Sequence, residues 1–544
     1  MPRGRIQFQI DQSVVEVYRE RGLWNGDTLK AWINRTVTAF PDRIAIKSIE
    51  QSLSYKELDA RVVACARGLI SLGIEAGDVV AVQLQNIPEF VIAYLAAGLC
   101  GAILQTVHMP YRENEMRLLL GHSRAKVLIM HERVKEYEGA AVGVALRSSL
   151  PDLKHVISVG AAAPAGALLF DELIHRAPNV AIDHTPSSTD PYVLLYTSGT
   201  SGSPKGVPSI YETYLGNARA TAPILGLKGE SVVLSAAPFT HLYGIFTLNV
   251  TLCVGATIAL IPAFNPDSFG SELAQLAPTG LFCGPAHLSL CRHSGTLTSA
   301  HFGALDFVMI SGAACPPELA RRTQDVLSHG KVVQLWGMSE VQCGCITRMD
   351  DPPDVRFNTV GRAAPGARVR VAVEGKVIDQ PGIEGELQIQ GASIFVGYLD
   401  NIAENGNAFT PDGWFRTGDI ARIDSNGNVT VTGRSKDIIN RGGVKINPTD
   451  IEALIIEHPG VSACAIIPIP DLKLGERACL FVVPKGNETL DLPQITDFLK
   501  GKGLAKLLWP ERLELVSELP LTPTKKVIKA LLIEDMRRKL ASEQ

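Results

Sequence analysis

The sequence lacks an excess of charge of either sign. Its 544 residues include 52 Lys and Arg against 56 Asp and Glu, which gives a formal net charge of -4. Proteins that bind chiefly nucleic acid or anionic membranes ordinarily carry a basic surplus, because their affinity for phosphates is largely electrostatic. The near balance therefore argues against both as the main partner. It leaves room for local basic sites that bind small phosphorylated molecules.

The cysteines form no framework. The ten cysteines are scattered, and the closest pair, Cys343 and Cys345, has one residue between its members. No second pair lies at the spacing of zinc ligands, so we expect no metal site there. The pattern indicates buried free thiols in a reducing cytoplasm, which is the location we expect.

Apolar segments of the membrane type are also missing. The N-terminus leads into a polar stretch, so we expect no signal region. Between His241 and Pro266 no charged residue occurs, but a membrane helix needs roughly 20 apolar residues. Asn249 and several threonines interrupt this segment. A buried helix followed by a buried strand, with Gly255 as the break, explains it better than a membrane span.

The composition and patterning are those of a globular α/β protein. Hydrophobic residues make up 46% and charged residues 20%, and the length suggests several domain-sized units. A strand over 79–82, a helix over 89–101 and a strand over 102–104 predict a parallel sheet covered by helices. Further strands are predicted at 232–236, 257–261, 280–283, 307–311 and 332–335.

The texture of the chain changes in its last third. From about Gly361 short β segments alternate with Gly and Pro turns, including strands predicted at 368–373 and 385–390. Beyond Arg434 a small α/β unit follows. Its predicted elements are a helix over 451–458, strands over 463–468 and 478–483, and a basic terminal helix over 525–540. We therefore predict a domain over 1–434 and a C-terminal domain over 435–544.

The strongest chemical signal is the segment Leu194–Val207. An apolar strand runs into Thr197-Ser198-Gly199-Thr200-Ser201-Gly202-Ser203-Pro204-Lys205-Gly206. Small residues let backbone N–H groups surround an anion, hydroxyls add donors, and a lysine supplies a positive charge. The segment differs from the loop of nucleotide hydrolases, in which Gly-Lys-Ser/Thr enters a helix. It predicts a phosphate-binding loop rather than a linker.

This loop resembles that of the adenylate-forming superfamily, which comprises acyl-CoA synthetases, peptide-synthetase adenylation domains and luciferases. Further blocks that resemble those of the superfamily follow in order over essentially the whole chain, beginning at Trp336, Trp414, Gly433 and Leu519. The resemblance implies a large N-terminal domain of two doubly wound α/β subdomains plus a small β-barrel-like subdomain. It also implies a small, mobile α+β C-terminal domain with a hinge at Lys436.

The resemblance implies how the nucleotide is held. Trp336 would stack on adenine, Asp419 would accept hydrogen bonds from the ribose hydroxyls, and Arg434 would contact ribose and phosphate. Glu340 and Thr200 would bind Mg²⁺. The full set of implied nucleotide-binding residues is Thr197, Ser198, Gly199, Thr200, Ser201, Gly202, Lys205, Gly312, Ala313, Trp336, Gly337, Met338, Ser339, Asp419 and Arg434.

The resemblance also implies sites for the acid and for coenzyme A. The acid pocket would contain His241, Leu242, Tyr243, Gly244 and Gly312, with His241 beside the carboxylate. Aryl-acid-activating relatives commonly have Asn where this chain has Leu242, which favours an apolar acid over a hydroxybenzoate. Coenzyme A would pass Arg441, Gly442 and Gly443. The implied catalytic residues are Lys526, His241, Glu340 and Thr200.

Two departures from the superfamily pattern bear on adenylation. The residue before the catalytic lysine is usually Gly, and here it is Lys525. If that position needs a positive φ, lysine costs roughly 1–2 kcal/mol and misplaces Lys526. A Thr-His pair expected soon after the phosphate loop is replaced by Ile210-Tyr211. We expect both departures to slow the adenylation half-reaction more than thiol transfer, which depends on other residues.

The sequence thus predicts an AMP-forming acyl-CoA ligase, closest to ligases for medium-chain or alicyclic acids, in fatty-acid or natural-product metabolism. Its cofactors and substrates would be ATP, Mg²⁺, coenzyme A and a carboxylic acid or acyl-adenylate. Three alternatives stay open: an enzyme that loads a carrier protein, a luciferase-like oxygenase, and a non-catalytic relative that only binds an acyl-adenylate. Whether the protein forms a homodimer also stays open.

Overall fold

A computed structural model describes residues 10–175, 179–197, 204–442, 444–471, 473–486, 488–522 and 527–543. The chain divides into two compact units. Unit 1 comprises Met1–Arg368 and Gln390–Phe415, and unit 2 comprises Val369–Ile389 and Arg416–Gln544. The predicted domain boundary after Arg434 and the hinge at Lys436 stay predictions.

The strands of unit 1 build two sheets. One sheet has the order β7-β6-β5-β3-β4-β8-β9 and the other β16-β15-β14-β13-β12-β10-β11-β1-β2. The strands are β1 (Ile44–Lys47), β2 (Ser52–Ser54), β3 (Val79–Gln83), β4 (Ile103–Thr106), β5 (Val127–His131), β6 (His155–Val159), β7 (Leu168–Leu169), β8 (Pro191–Thr197), β9 (Lys205–Ile210), β10 (Val232–Ser235), β11 (Thr257–Ala259), β12 (Gly280–Cys283), β13 (Phe307–Ile310), β14 (Lys331–Met338), β15 (Gln342–Ile346) and β16 (Arg362–Ala363).

Helices of unit 1 connect these strands. They are α1 (Gln12–Glu20), α2 (Leu29–Ala39), α3 (Tyr55–Ser71), α4 (Pro88–Cys100), α5 (Glu113–Ser123), α6 (Gly139–Leu146), α7 (Phe170–His175), α8 (Tyr211–Thr221), α9 (Leu242–Leu252), α10 (Phe269–Leu276), α11 (Pro285–His293), α12 (Ser299–Phe302), α13 (Pro317–Asp325), α14 (Pro353–Asn358) and α15 (Ile402–Ala408). The alternating α/β pattern predicted for this part of the chain is confirmed.

Local sequence explains the elements that open unit 1. Ser54 and Glu57 form a capping box at the start of α3, in which each side chain satisfies the other's backbone N–H. Helix α4 begins at Pro88, which has no N–H to leave unpaired, and ends before Gly101 at φ +75°. Every residue of β3 and β4 is buried, and the two strands pair in parallel. The predicted parallel sheet therefore places the carboxyl ends of β3, β4 and β8 along one edge.

The uncharged segment after His241 is a buried helix and a buried strand, as predicted. Helix α9 ends at Leu252 and strand β11 begins at Thr257, with Gly255 between them at φ +66°. Every residue of α9 is buried. In the part of the chain that the structure describes, none of the helices has the length and apolar character that crossing a bilayer requires.

Unit 2 contains two further sheets. Their orders are β18-β17-β19-β20-β21 and β23-β22-β25-β24, with β26 paired to β25. The strands are β17 (Ala367–Val373), β18 (Lys376–Ile378), β19 (Gly385–Gly391), β20 (Phe415–Ile423), β21 (Val429–Arg434), β22 (Ile439–Arg441), β23 (Val444–Ile446), β24 (Val461–Asp471), β25 (Gly475–Pro484) and β26 (Arg512–Leu515), and the helices are α16 (Pro448–Ile455), α17 (Leu492–Gly501) and α18 (Lys529–Glu543).

Two helices in unit 2 begin and end at other residues than predicted: α16 ends at Ile455 rather than His458, and α18 ends at Glu543 rather than Leu540. Helix α16 begins at Pro448 rather than Ile451, because Asn447 caps it by accepting the N–H of Thr449 and proline suits the first helical turn. Helix α18 begins at Lys529 rather than Lys525. The chain before it is held in a different conformation, since Leu521 pairs with Val527 in a β-bridge and the N–H of Ile528 donates to Pro520 O.

Candidate active site

The described residues on either side of the predicted phosphate loop belong to two antiparallel strands, which we call the phosphate hairpin. Strand β8 pairs antiparallel with β9 in a register that places Thr197 opposite Lys205. Ser198, Gly199, Thr200, Ser201 and Gly202 lie outside the described residues. The strand that enters the loop is buried, and Lys205 is the first residue of the strand that leaves it. The hairpin therefore fixes the base of the loop and the position of its lysine.

Lys205 contacts a carboxylate that lies far from it in the sequence. Its ammonium forms an ion pair with Glu404, and its side chain is only 12% exposed. Glu404 lies in the first turn of α15, where Asn401 accepts its backbone N–H at 3.2 Å. The lysine Nζ also lies over the ring of Tyr398, 5.1 Å from the centroid. Lys205 is therefore held by one charge and one aromatic face.

Tyr398 connects this lysine to Glu340. The Tyr398 hydroxyl donates to Glu340 Oε1 at 2.9 Å, and both side chains are buried. Burial raises the pKa of Tyr398, and the adjacent Glu340 carboxylate raises it further, so the phenol stays a donor. The N–H of Phe395 donates to Glu340 O at 2.8 Å. We call Lys205, Glu404, Tyr398 and Glu340 the Tyr398 cluster.

The block that contains Trp336 forms a closely packed β-hairpin. Strands β14 and β15 pair antiparallel with a bulge between Trp336 and Gly337. A Cβ on Gly337 would lie 1.6 Å from Gln342 O, and a Cβ on Gly344 would lie 2.5 Å from the Trp336 ring. Glycine is therefore required at both places, and Gly344 makes room for the large indole.

Side chains of helix α8 form hydrogen bonds with the backbone of the same hairpin. The Tyr214 hydroxyl donates to Ser339 O at 3.1 Å. Asn217 donates from Nδ2 to Cys343 O and accepts the Cys343 N–H at Oδ1, at 3.0 and 3.2 Å. Trp336 and Glu340 are thereby fixed by buried hydrogen bonds. Met338 is the last residue of β14 and lies next to this anchor.

The predicted acid pocket is organised around the start of α9. His241 is the N-cap of α9, and its Nδ1 accepts the N–H of Tyr243 at 3.2 Å. The proton of a neutral His241 is therefore on Nε2. The Tyr243 hydroxyl donates to Met309 O at 2.8 Å, so its polar atom is occupied. Leu242 is buried. A Cβ on Gly244 would lie 2.3 Å from Pro238 O, so only glycine fits there.

The segment after β13 completes the residues predicted in unit 1. Gly312 has φ +91°, a conformation that favours glycine, and Ala313 is exposed. This turn ends β13 at the same sheet edge as the ends of β12 and β14. The structure thus places Gly312 and Ala313 beside the carboxyl ends of these parallel strands.

In unit 2, the structure brings two predicted residues together. Asp419 and Arg434 lie opposite each other on β20 and β21, and the Arg434 Nε is 2.9 Å from Asp419 Oδ1. Asp419 is buried, whereas Arg434 is 45% exposed. The Arg434 guanidinium therefore neutralises a buried carboxylate, while part of the arginine side chain remains exposed to solvent.

For the other predicted residues of unit 2, the structure describes three and leaves three outside the described residues. Lys436 lies in a 3-10 turn, Ser435–Asp437. Arg441 forms a two-bond ion pair with Glu511, at 2.8 and 3.2 Å. Gly442 has φ +57°. Gly443, Lys525 and Lys526 lie outside the described residues.

Sequence reasoning missed several residues of these sites. Tyr398 and Glu404 lie outside the blocks that resemble the superfamily, although Gly397-Tyr398 follows an apolar run. His108 stacks on His241 with ring centroids 6.0 Å apart and an interplanar angle of 27°. No local pattern marks His108, because it approaches His241 from a loop more than a hundred residues earlier.

Comparison with known proteins identifies the family. Residues 33–399 match the AMP-binding enzyme family, and residues 450–526 match the AMP-binding enzyme C-terminal domain. The chain belongs to the AMP-binding enzyme family. The adenylate-forming family named from the motifs is thereby confirmed. As an AMP-binding enzyme, the protein is an acyl- or aryl-CoA ligase or an adenylation enzyme that loads a carrier protein.

Relatives of this AMP-binding enzyme cover nearly the whole chain. It is 30% identical to the medium-chain fatty-acid–CoA ligase of Escherichia coli, over 99% of this chain and 96% of that protein. It is 32% identical to the salicylyl-CoA synthase / salicylate adenylyltransferase of a Streptomyces species, over 96% of each. It is 31% identical to the 2,3-dihydroxybenzoate–AMP ligase of Bacillus subtilis, over 97% of each.

A solved structure supports the same fold. The crystal structure of ATP-bound MatB from Rhodopseudomonas palustris superposes with a TM-score of 0.82 at 26% identity, covering 92% of this chain and 98% of that one. The predicted mixed α/β architecture is confirmed. The free thiols are confirmed as well, since all ten cysteines are free and most are buried.

Proposed function

We propose that this AMP-binding enzyme activates an apolar carboxylic acid through an acyl-adenylate and transfers the acyl group to coenzyme A. The observation that carries the proposal is the Tyr398 cluster at the base of the phosphate hairpin. It joins the lysine of the predicted phosphate loop to the predicted magnesium ligand through one buried tyrosine. Such an arrangement suits a reaction at a polyphosphate chain, where fixed charges are more effective than mobile ones.

The first step would join the acid to AMP. A carboxylate oxygen attacks the α-phosphorus of ATP, the bond to the β-phosphate bridge breaks, and pyrophosphate leaves with its electron pair. Lys205 would bind phosphate oxygens, Trp336 would stack on adenine, and Asp419 and Arg434 would bind ribose. Lys526 would neutralise the charge between carboxylate and α-phosphate. In the second step the thiol of coenzyme A gives its proton to solvent and its sulfur attacks the acyl carbon; the bond from that carbon to the phosphate oxygen breaks, and AMP leaves with the electron pair.

The residues fit a magnesium ion that arrives with ATP. Among the described residues no group of three or more His, Cys, Asp or Glu could hold a metal. Mg²⁺ commonly binds one or two carboxylates together with substrate phosphates, so the single buried carboxylate of Glu340 suffices. Glu340 and Thr200 would hold the ion. When bound, it would offset negative charge on the phosphates.

The acid pocket favours an apolar acid. Leu242 stands where aryl-acid-activating relatives commonly have Asn, and the Tyr243 hydroxyl is already hydrogen-bonded to the backbone. Neither residue offers a free polar atom to a ring hydroxyl. The medium-chain ligase of E. coli is similar over 99% of this chain. We therefore favour an aliphatic or alicyclic acid over a hydroxybenzoate.

We favour coenzyme A over a carrier protein as the acceptor. The support is the similarity to a fatty-acid–CoA ligase over 99% of the chain. The competing acceptor has its own support, because a relative 30% identical over 98% of this chain is named as a salicyl-AMP ligase / salicyl-S-ArCP synthetase. Arg441 and Gly442 are the described residues that we expect to border the arm of either acceptor. The free thiols agree with a cytoplasmic enzyme.

We further propose that adenylation is the slow half-reaction. Lys525 replaces a glycine of the superfamily beside the catalytic Lys526, and misplacement of a catalytic group by ~1 Å can cost on the order of 100-fold in rate. Lys525→Gly should then raise pyrophosphate release without changing the conversion of supplied acyl-AMP to acyl-CoA. Pyrophosphate release by the wild type that keeps pace with thioester formation, with no gain in the variant, would show that adenylation is unimpaired.

A panel of acids tests the proposed function. Octanoate, cyclohexanecarboxylate, benzoate and salicylate are each assayed for ATP–pyrophosphate exchange, for thioester formation with coenzyme A, and for loading of a phosphopantetheinylated carrier protein. Glu340→Gln serves as the adenylation-deficient control. We expect octanoate or cyclohexanecarboxylate to be the best acid and coenzyme A to be acylated. Preference for salicylate, or loading of the carrier protein with no acyl-CoA, would contradict the proposal.

A further inference from the structure

The loops that carry His108 and His241 form hydrogen bonds with two amide side chains, Gln83 at the end of β3 and Asn86 three residues beyond it. The amide of Gln83 donates to His108 O and to Tyr111 O, at 2.9 and 3.0 Å. Asn86 donates to Ala237 O at 3.0 Å and accepts the Phe239 N–H at 2.7 Å. Both amide side chains are buried. The two imidazoles are therefore presented by rigid backbone, as a binding site requires.

Thr240 determines which nitrogen of His108 carries the proton. His108 Nδ1 lies 3.1 Å from Thr240 Oγ1. Thr240 is buried, and among the described residues its hydroxyl has no other partner. If Nδ1 carried the proton, the buried hydroxyl would have no acceptor for its own, which is costly. Thr240 therefore donates to Nδ1, and the imidazole proton is on Nε2.

Burial keeps His108 neutral near pH 7. It lowers the pKa of this histidine to about 4. The residue as a whole is nevertheless partly exposed, and in the part of the chain described here Nε2 has no hydrogen-bond partner. His108 thus offers a single uncharged N–H donor beside His241, whose own neutral form also has its proton on Nε2.

We propose that His108 is a specificity-determining residue, and that its Nε2–H donates to an acceptor oxygen carried by the acid close to its carboxyl group. The inference rests on the proposed function, because it takes the His241 site as the acid pocket. An ether or carbonyl oxygen would satisfy the donor, whereas an all-carbon chain would displace water from the Nε2–H group and leave it without an acceptor. The preferred acid is therefore apolar apart from one acceptor oxygen near its carboxyl end.

The test compares matched ligands that differ by one oxygen. Acyl-sulfamoyl adenosines are made from octanoic acid and its 3-oxa, 4-oxa and 5-oxa analogues, and from 2-ethylbenzoic and 2-methoxybenzoic acids. An ether oxygen accepts hydrogen bonds but cannot donate. Calorimetry on the full chain measures the dissociation constants for the wild type, for His108→Phe, and for the double variant His108→Phe/Thr240→Val. The double variant removes the Thr240 hydroxyl together with the imidazole to which it donates.

We expect the wild type to bind at least one ether analogue roughly 3- to 10-fold more tightly than its all-carbon partner, the range that one hydrogen bond supplies. Both variants should lose this preference while AMP alone binds them as it binds the wild type. Nitrogen NMR of His108 should show a protonated Nε2. No preference for oxygen on either skeleton, or a preference that survives His108→Phe, would overturn the inference. Thioester formation has no part in this readout, so a failure of coenzyme A transfer is recognised separately.

Discussion

The replacement Tyr398→Phe tests the Tyr398 cluster with minimal disturbance. It removes one hydroxyl, whose hydrogen bond goes to Glu340 Oε1 at 2.9 Å. The aromatic ring remains in the variant. It keeps its edge-to-face contact with Phe395, whose ring centroid is 4.8 Å away, and its contact with Lys205 Nζ. The variant therefore isolates the hydrogen bond that orients the Glu340 carboxylate.

The size of the effect follows from the charge of the acceptor. A hydrogen bond to a charged group contributes about 1.5–3 kcal/mol, against about 0.5–1.5 kcal/mol for a neutral pair. Both Tyr398 and Glu340 are buried, so water replaces the lost donor poorly. We expect the free energy of unfolding to fall by about 2 kcal/mol. If Glu340 also holds the metal, ATP–pyrophosphate exchange should fall about tenfold, whereas thiol transfer from supplied acyl-AMP should change little.

Urea denaturation and the two half-reaction assays measure these outcomes. The matched control is Tyr211→Phe, which removes a buried hydroxyl that donates to the neutral Gly98 O at 3.0 Å. It should cost about 1 kcal/mol of stability and leave pyrophosphate exchange near the wild-type rate. Equal losses in the two variants, or an unchanged exchange rate in a Tyr398→Phe protein of lowered stability, would refute the reasoning about Glu340.

Two further predictions concern unit 2. Asp419→Ala should abolish both half-reactions, because it removes the proposed ribose anchor and leaves Arg434 without its ion-pair partner; charge-assisted hydrogen bonds are worth ~1.5–3 kcal/mol each. Normal turnover of supplied acyl-AMP with near-normal affinity would speak against the ribose role. Lys436→Pro should leave acyl-AMP formation largely intact and block thioester formation, because proline restricts φ at the proposed hinge. Equal loss of both half-reactions in a well-folded variant would remove support for the hinge.

Features encoded locally could be predicted from the sequence. Strand β12 has the predicted bounds, and the helix and strand after His241 are separated at Gly255 as expected. Buried strands, capping signals and glycine breaks act over a few residues, so their patterns are visible in the sequence. The resemblance to the superfamily implies one nucleotide site for Asp419 and Arg434, and the structure pairs these two side chains.

Contacts between distant segments could not be predicted. Lys205 and Glu404 are 199 residues apart, and His108 and Thr240 are 132 residues apart. Nothing near Glu404 or His108 in the sequence indicates the partner, because the contact exists only after the sheets have assembled. Tyr211 is another example. Its departure from the superfamily pattern looked like an altered site, but its ring stacks on Tyr192 at 4.1 Å inside the core.

The central claim is that the carboxylate attacks the α-phosphorus of ATP and that the acyl group then passes to coenzyme A. It is tested by supplying the best acid of the panel with both carboxylate oxygens replaced by ¹⁸O, together with ATP and coenzyme A, and analysing the products by mass spectrometry. The account predicts one ¹⁸O atom in AMP and one in the acyl-CoA, with none in pyrophosphate. Unlabelled AMP, or label in inorganic phosphate accompanied by ADP, would contradict it.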